Sequence, residues 1–341
     1  MTISMNYNRG KLRILYCSSG EHFALKVVSE LEKFIECLDY NVLISSKEVV
    51  FANSEIKTEI EECIRNQDVY IFQDVQNNSG GLSVNDNVMA LKTAINAAKL
   101  ANAHCITAVL PVYPYARQDK AKAREGISAS MLARELEGCG VGRVITLDIH
   151  NEAIAGFFRY ASLENLRVSK TLIDFVKNNF DVDNLVVAAP DAGGAERANF
   201  FAKKLNTKLV LMHKERDYSR VSSIENMSLI GDVSGRDVFV VDDIIDTAGT
   251  LVNSAKKFKE NGARKVIFAA SLPLFSGRAL ERIDLAFKEG FVDLVIGTNV
   301  IFKPSDFSKL HPWYVELELQ KYFAKVIYNI NKGDSIGKLL D

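Results

Sequence analysis

Two adjacent carboxylates, Asp242 and Asp243, close an apolar run and are followed almost at once by Asp246-Thr-Ala-Gly-Thr250. The whole stretch, Val238-Phe-Val-Val-Asp-Asp-Ile-Ile-Asp-Thr-Ala-Gly-Thr250, predicts a β-strand, a turn of small residues and a helix from Thr250 to Glu260. Such a turn offers backbone N–H groups and Thr hydroxyls to a phosphate at the positive end of a helix. Asp242 and Asp243 stand where ribose hydroxyls or a hydrated Mg²⁺ could be held. No lysine occupies the turn, so this is not the GxxxxGK[ST] phosphate loop. The bland alternative is a buried strand that merely ends in a polar turn. The acid pair followed by Asp-Thr-Ala-Gly-Thr argues against it.

Four further segments carry candidate chemistry. In Tyr113-Pro-Tyr-Ala-Arg-Gln-Asp-Lys120, Arg117 offers a planar fork of donors to phosphate oxygens and Gln118 can bond a base or sugar. In Asp148-Ile-His-Asn-Glu152, His150 sits between two acids. Mg²⁺ prefers oxygen ligands, so a single His nitrogen joins such a site only where substrate phosphates supply the rest. In Pro190-Asp-Ala-Gly-Gly194, Asp191 either caps the helix that follows or orients a metal-bound water. In His213-Lys-Glu-Arg216, Lys214 and Arg216 alternate and so point the same way in an extended chain. Two cations on a closing lid suit the charge of a phosphoryl group in flight; a solvated basic loop is the alternative. Phe51-Ala-Asn-Ser-Glu55 is a weaker signal: Phe51 can stack on a purine while Asn53 and Glu55 bond its edge or the ribose, or the segment is a strand-edge turn.

Elements must position these residues, and the chain supplies them in alternation. Apolar runs such as Ile106–Leu110, Val144–Asp148, Leu185–Ala189, Leu209–Met212 and Val238–Val241 predict strands. Helix-period segments such as Val84–Leu100, Ser128–Glu137 and Gly193–Leu205 lie between them. The alternation implies an α/β fold of mostly parallel sheets flanked by helices, with ligands at the strands' carboxyl ends. The candidate residues follow strand ends. A length of 341 residues suggests two related α/β domains. We place the boundary at Phe158–Glu164: residues 1–160 form an N-terminal domain joined by a returning segment 311–341, and residues 161–310 form the second.

The charge balance, 42 basic against 43 acidic residues, gives no global attraction to nucleic acid or acidic membranes, so small molecules gripped by local charge are the expected partners. No apolar stretch reaches membrane-span length and the first residues have no secretory h-region. Five cysteines without CxxC spacing read as reduced thiols of a cytoplasmic protein.

Taken in order, Tyr115-Ala-Arg-Gln-Asp119, Pro190-Asp-Ala-Gly-Gly194, His213-Lys-Glu-Arg216, Val241–Thr250 and Phe275-Ser-Gly277 resemble the ribose-phosphate pyrophosphokinases (phosphoribosyl pyrophosphate synthetases), and most closely their phosphate-activated class. The resemblance spans nearly the whole chain and is weakest before Phe51 and after Leu317. It implies transfer of a pyrophosphoryl group from ATP to the C1 hydroxyl of ribose 5-phosphate, by in-line attack on the β-phosphorus, with Mg²⁺ as cofactor and inorganic phosphate as activator. Phe51, Asn53, Ser54, Glu55, Arg117 and Gln118 would bind ATP, the first four reaching into a neighbouring subunit's site. His150 and Asp191 would position Mg²⁺, directly or through water. Lys214 and Arg216 would be catalytic. Arg216, Asp242, Asp243, Asp246, Thr247, Ala248, Gly249 and Thr250 would hold ribose 5-phosphate. A homo-oligomer built from dimers, up to a hexamer, is implied.

The chain also departs from the family's pattern. The loop Lys120–Gly126 is one residue shorter, Gly126 replaces a Pro, Ser130 a Lys and Leu272 a His. The tail from Gly333 to Leu340 lacks a second Ser and an aromatic residue, which bears on allosteric control. Two rival readings make distinct predictions. A phosphoribosyltransferase would share the 242–250 loop but bind a free base and ignore ATP. A non-catalytic regulatory homologue would lose lid and metal residues, and Lys214, Arg216, His150 and Asp191 are all present.

Overall fold

A computed structural model describes residues 9–35, 40–77, 79–216 and 225–340; within them the side chains of Ala192 and of residues 213–216 and 225–227 lie outside the description. The chain forms two compact units. One comprises the residues up to Arg167 with Asn299–Phe302 and the segment from Glu318 onward; the other comprises Val168–Thr298 with Lys303–Leu317.

The first unit contains β1 (Leu12–Tyr16), α1 (Glu21–Phe34), β2 (Ser46–Val50), β3 (Ile56–Ile60), β4 (Asp68–Phe72), α2 (Val84–Leu100), β5 (Cys105–Val109), α3 (Ser128–Cys139), β6 (Arg143–Leu147) and β7 (Ser162–Leu166). Its main sheet has the order β1-β4-β5-β6-β7 and is parallel throughout. A strand covered on both faces needs an uninterrupted apolar run, and β4 is buried at every residue. β2 and β3 stand apart as an antiparallel hairpin. A Ser83–Asp86 capping box starts α2, each residue's side chain accepting from the other's backbone N–H.

The second unit contains α4 (Ser169–Asn179), β8 (Leu185–Ala189), α5 (Ala195–Leu205), β9 (Lys208–Arg216), β10 (Glu225–Ile230), β11 (Asp237–Ile245), α6 (Gly249–Glu260), β12 (Lys265–Pro273), α7 (Ala279–Lys288), β13 (Leu294–Thr298), α8 (Phe307–Leu310) and β14 (Tyr314–Leu317). The sheet order is β10-β9-β8-β11-β12-β13-β14, parallel except for the β10–β9 pair. Period-two alternation divides its core: Val238 and Val240 face Phe258 and Trp313 on one side, while Phe239 and Val241 join Phe201 and Val187 on the other.

Two last helices, α9 (Gln320–Lys332) and α10 (Gly337–Leu340), belong to the first unit. Phe323 of α9 meets Phe23 of α1 edge-on at 5.0 Å. Asn331 Nδ2 donates to the buried Asp68 carboxylate at 3.0 Å, and Arg9 binds that carboxylate through Nε and Nη2 at 2.9 and 3.0 Å. Tyr70 adds its hydroxyl at 3.0 Å. A fully buried carboxylate is tolerated only with such a set of partners, and here they tie the chain's end to the first unit's sheet.

Two strands outrun their predicted ends. β11 continues past Val241 to Ile245 because Asp242, Ile244 and Ile245 keep pairing with β12; the carboxylates interrupt the apolar run but not the backbone ladder. β9 continues through the charged residues to Arg216, pairing there with β10.

Candidate active site

In the second unit β8 and β11 are neighbours, and the sheet grows outward from them in opposite directions, through β9 on one side and β12 on the other. That reversal is a topological switch point, where ligands bind beyond the strands' carboxyl ends. Asp191 follows β8 there, and Asp242 and Asp243 lie near the end of β11.

A residue missed from sequence joins the acids. Arg197, in the first turn of α5, brings Nη1 to 3.3 Å from Asp242 Oδ1 and 3.1 Å from Asp243 Oδ1. A cation in a helix's first turn opposes the helix dipole, so its position was a usable signal that an anion stands nearby. Asp243 is 5 % exposed, whereas the Asp242 side chain keeps 39 % exposure. Burial and then the adjacent Asp243 carboxylate push the Asp242 carboxyl up to about 7, against the opposing pull of Arg197. The pair offers several acceptor oxygens to a polyol with a guanidinium behind them.

The predicted phosphate turn comes directly after β11. Ala248 is buried with φ +59°, the left-handed conformation, and α6 starts at Gly249 without a side-chain cap. The first amides of any helix lack intrahelical partners and point outward. Here they belong to the turn's own small residues, with the Thr247 and Thr250 hydroxyls adjacent in sequence. Asp191 Oδ1 accepts from the Gly194 N–H at 3.0 Å, so the carboxylate fills a capping role with one oxygen. Leu272, the residue that replaces the pattern's His, is buried in β12 opposite Ile244.

In the first unit Arg117 and Gln118 are exposed in the loop after β5. The Gln118 N–H donates to Tyr115 O at 2.8 Å and Gln118 O accepts from the Ala129 N–H at 3.2 Å, which fixes the loop against the start of α3. His150 is exposed in the loop after β6, and the residues on either side of it are pinned. The Ile149 N–H donates to Asn165 Oδ1 at 2.9 Å, and Asn151 Nδ2 donates to Asp119. That bond, with smaller help from Lys120 and His150, holds the Asp119 carboxyl below its usual range. Asp148 and Glu152, the acids flanking His150 in sequence, both pair with Arg167. Among the described residues no three His, Cys, Asp or Glu side chains gather as a metal cage.

Phe51, Asn53, Ser54 and Glu55 form the tip of the β2–β3 hairpin. The Phe51 N–H donates to Glu55 O and the Ser54 N–H to Phe51 O, each at 2.8 Å, with Ser54 at φ +69°. Phe51 is 44 % exposed. Lys214 and Arg216 occupy alternate positions at the end of β9, opposite Met227 and Glu225 of β10; their side chains lie outside the described residues.

Two family models match the chain. One, described as the N-terminal domain of ribose phosphate pyrophosphokinase, covers residues 12–140; the other, described as a phosphoribosyl transferase domain, covers residues 160–302. A ribose-phosphate pyrophosphokinase from Chlorobaculum tepidum is 41 % identical over 92 % of this chain and 92 % of its own. One from Porphyromonas gingivalis is 43 % identical over 85 % of this chain and 87 % of its own. The crystal structure of phosphoribosylpyrophosphate synthetase from Mycobacterium smegmatis superposes with a TM-score of 0.83 at 29 % identity, covering 95 % of this chain and 99 % of that one.

Proposed function

The chain belongs to the ribose-phosphate pyrophosphokinase family, and on that premise we propose how its residues carry the transfer of pyrophosphate from ATP to ribose 5-phosphate. The observation that supports the assignment best is the Arg197–Asp242–Asp243 cluster at a sheet switch point, continued by an amide-rich turn at the start of α6. The 5-phosphate sits on the amides and hydroxyls of Asp246–Thr250. The ribose hydroxyls donate to Asp242 and Asp243. Arg117 and Gln118 hold ATP, and Phe51 with Asn53, Ser54 and Glu55 holds its adenine side in a neighbouring copy. The exposed hairpin tip supports that last assignment, and with it a homo-oligomer; the five cysteines without CxxC spacing support a cytoplasmic setting.

The C1 oxygen attacks the β-phosphorus. The bond from that phosphorus to the α,β-bridging oxygen breaks, AMP leaves with the bridging oxygen, and the proton of the C1 hydroxyl passes to solvent. Positioning and charge stabilisation do most of the work in such transfers. Lys214 and Arg216 supply cations for the charge on the moving group's oxygens. Asp191 would contact Mg²⁺ directly or through water, and the same role is proposed for His150. The donor set fits that role: Asp191 keeps one oxygen beyond its Gly194 bond, and a cation that retains its waters and substrate phosphates needs no protein cage. When bound, Mg²⁺ neutralises and orients phosphate oxygens.

Asp191→Asn retains the capping acceptor and removes only the charge. We expect a melting temperature within about 2 °C of wild type and a several-fold rise in the Mg²⁺ concentration giving half-maximal rate. An unchanged Mg²⁺ titration would remove Asp191 from the metal's surroundings. The function itself is tested by incubating the protein with ATP, Mg²⁺ and ribose 5-phosphate, with and without inorganic phosphate. AMP as the nucleotide product supports the reading, and ADP would replace it with a γ-phosphoryl transfer.

A further inference from the structure

Residues 275–282 hold the turn that we assign to the 5-phosphate. The three consecutive carbonyls leading into and through it are captured there. Ile245 O accepts from the Phe275 N–H at 3.1 Å and Asp246 O from the Ser276 N–H at 2.9 Å. Thr247 O accepts from Arg282 Nη1 at 2.7 Å. Two of these donors are backbone amides that any sequence would supply. The third is the guanidinium of one α7 side chain.

The bond from Arg282 bears on a strained residue. Ala248, next in the chain after Thr247, adopts φ +59° while 5 % exposed. The left-handed conformation costs an L-residue roughly 1–2 kcal/mol, and alanine lacks glycine's exemption. Rotating the peptide between Thr247 and Ala248 would relieve that strain. It would also exchange an outward N–H for an outward C=O, and a carbonyl facing the phosphate repels it. A carbonyl anchored at 2.7 Å cannot make the exchange without breaking its bond. The Arg282 side chain also passes close to the turn: a Cβ built on Gly249 would come to 3.8 Å from the same Nη1.

We propose that Arg282 is a positioning residue for ribose 5-phosphate, locking the Thr247–Ala248 peptide so that the turn presents amides rather than a carbonyl to the phosphate. The inference rests on the assignment of the turn to the 5-phosphate. Its anchor on the far side is firm. Phe275 is buried and stacks on Phe307 at 5.9 Å, while Lys303 Nζ donates to Pro273 O at 2.9 Å and lies 5.4 Å over the Phe275 ring.

The test compares wild type, Arg282→Ala, Arg282→Lys and the double variant Arg282→Ala/Ala248→Gly. Ribose 5-phosphate binding is measured by calorimetry, and KM for both substrates and kcat by assay. Arg282→Ala should raise the Kd and KM for ribose 5-phosphate about 10–50-fold, with kcat and the KM for ATP within threefold of wild type. Lysine, which keeps a charged donor, should recover part of the loss. Glycine at 248 removes the strain that favours the flipped peptide and should recover about fivefold in the Arg282→Ala background; a merely structural Arg282 would give no such rescue. Unchanged ribose 5-phosphate binding in Arg282→Ala overturns the inference alone. Parallel loss of both substrates with a lowered melting temperature also overturns it. Failure of wild type to bind ribose 5-phosphate overturns both the inference and the assignment beneath it.

Discussion

Lys214→Ala is expected to lower kcat by about 10²–10³-fold while the KM values for ATP and ribose 5-phosphate stay within about threefold. A cation aimed at charge that develops only in flight contributes to the transition state and little to the ground state. The strand geometry suits that role. β9 pairs with β8 from Lys208 to Leu211 and with β10 from Leu211 to Arg216. Lys214 and Arg216 therefore sit on the extended part of the strand, at alternate positions that share one face. Steady-state kinetics with each substrate varied checks the prediction. A large rise in the KM for ATP with kcat preserved would make Lys214 a ground-state phosphate anchor instead.

Asp242→Asn should weaken ribose 5-phosphate binding by about 10–100-fold at pH 8, because hydrogen bonds to a charged acceptor contribute about 1.5–3 kcal/mol. The wild-type pH profile carries the same information. The Asp242 carboxyl is pushed up to about 7, so wild-type affinity should fall as pH drops through 7 and the pair takes up a proton. Stability runs the other way. The folded state holds this proton more tightly than the unfolded chain does, whose carboxyl has the ordinary value of 3.8. The stabilising term is complete below about pH 4 and is lost as pH rises through about 7. Ligand-free Asp242→Asn should therefore gain melting temperature on wild type between pH 5 and pH 8. The gain corresponds to on the order of 1 kcal/mol once solvent screening is allowed for. Calorimetric titration and thermal melts at both pH values check the pair. A mutant that binds as well as wild type at pH 8, or gains nothing at high pH, contradicts the reading.

Most of the local structure around the candidate site was legible in the sequence. The 242–250 segment announces itself because one apolar strand, two acids and a run of small residues lie in sequence, and they fold as strand, acid pair and helix start. Arg197 was not legible in the same way. Its ion pairs exist only because α5 returns it to carboxylates 45 residues further along the chain. The hairpin around Phe51 was obscured for another reason. Its strands, Ser-Lys-Glu-Val-Val and Ile-Lys-Thr-Glu-Ile, are largely half-exposed and charged, so no buried run marks them. The charged end of β9 hid a strand that backbone pairing with β10 sustains. His150 showed the reverse: the flanking acids that drew attention to it are paired with Arg167, and the neighbour that the structure supplies is Asp119.

The central claim is that the C1 oxygen of ribose 5-phosphate attacks the β-phosphorus of ATP. Ribose 5-phosphate labelled with ¹⁸O at the C1 hydroxyl, incubated with the protein, ATP and Mg²⁺, tests it in one ³¹P NMR spectrum. The account predicts an isotope-shifted resonance for the phosphorus attached to C1 of the product, with unlabelled AMP formed in equal amount. An unshifted product, formed while the remaining ribose 5-phosphate still carries the label, would mean that the C1–oxygen bond breaks and would contradict the mechanism.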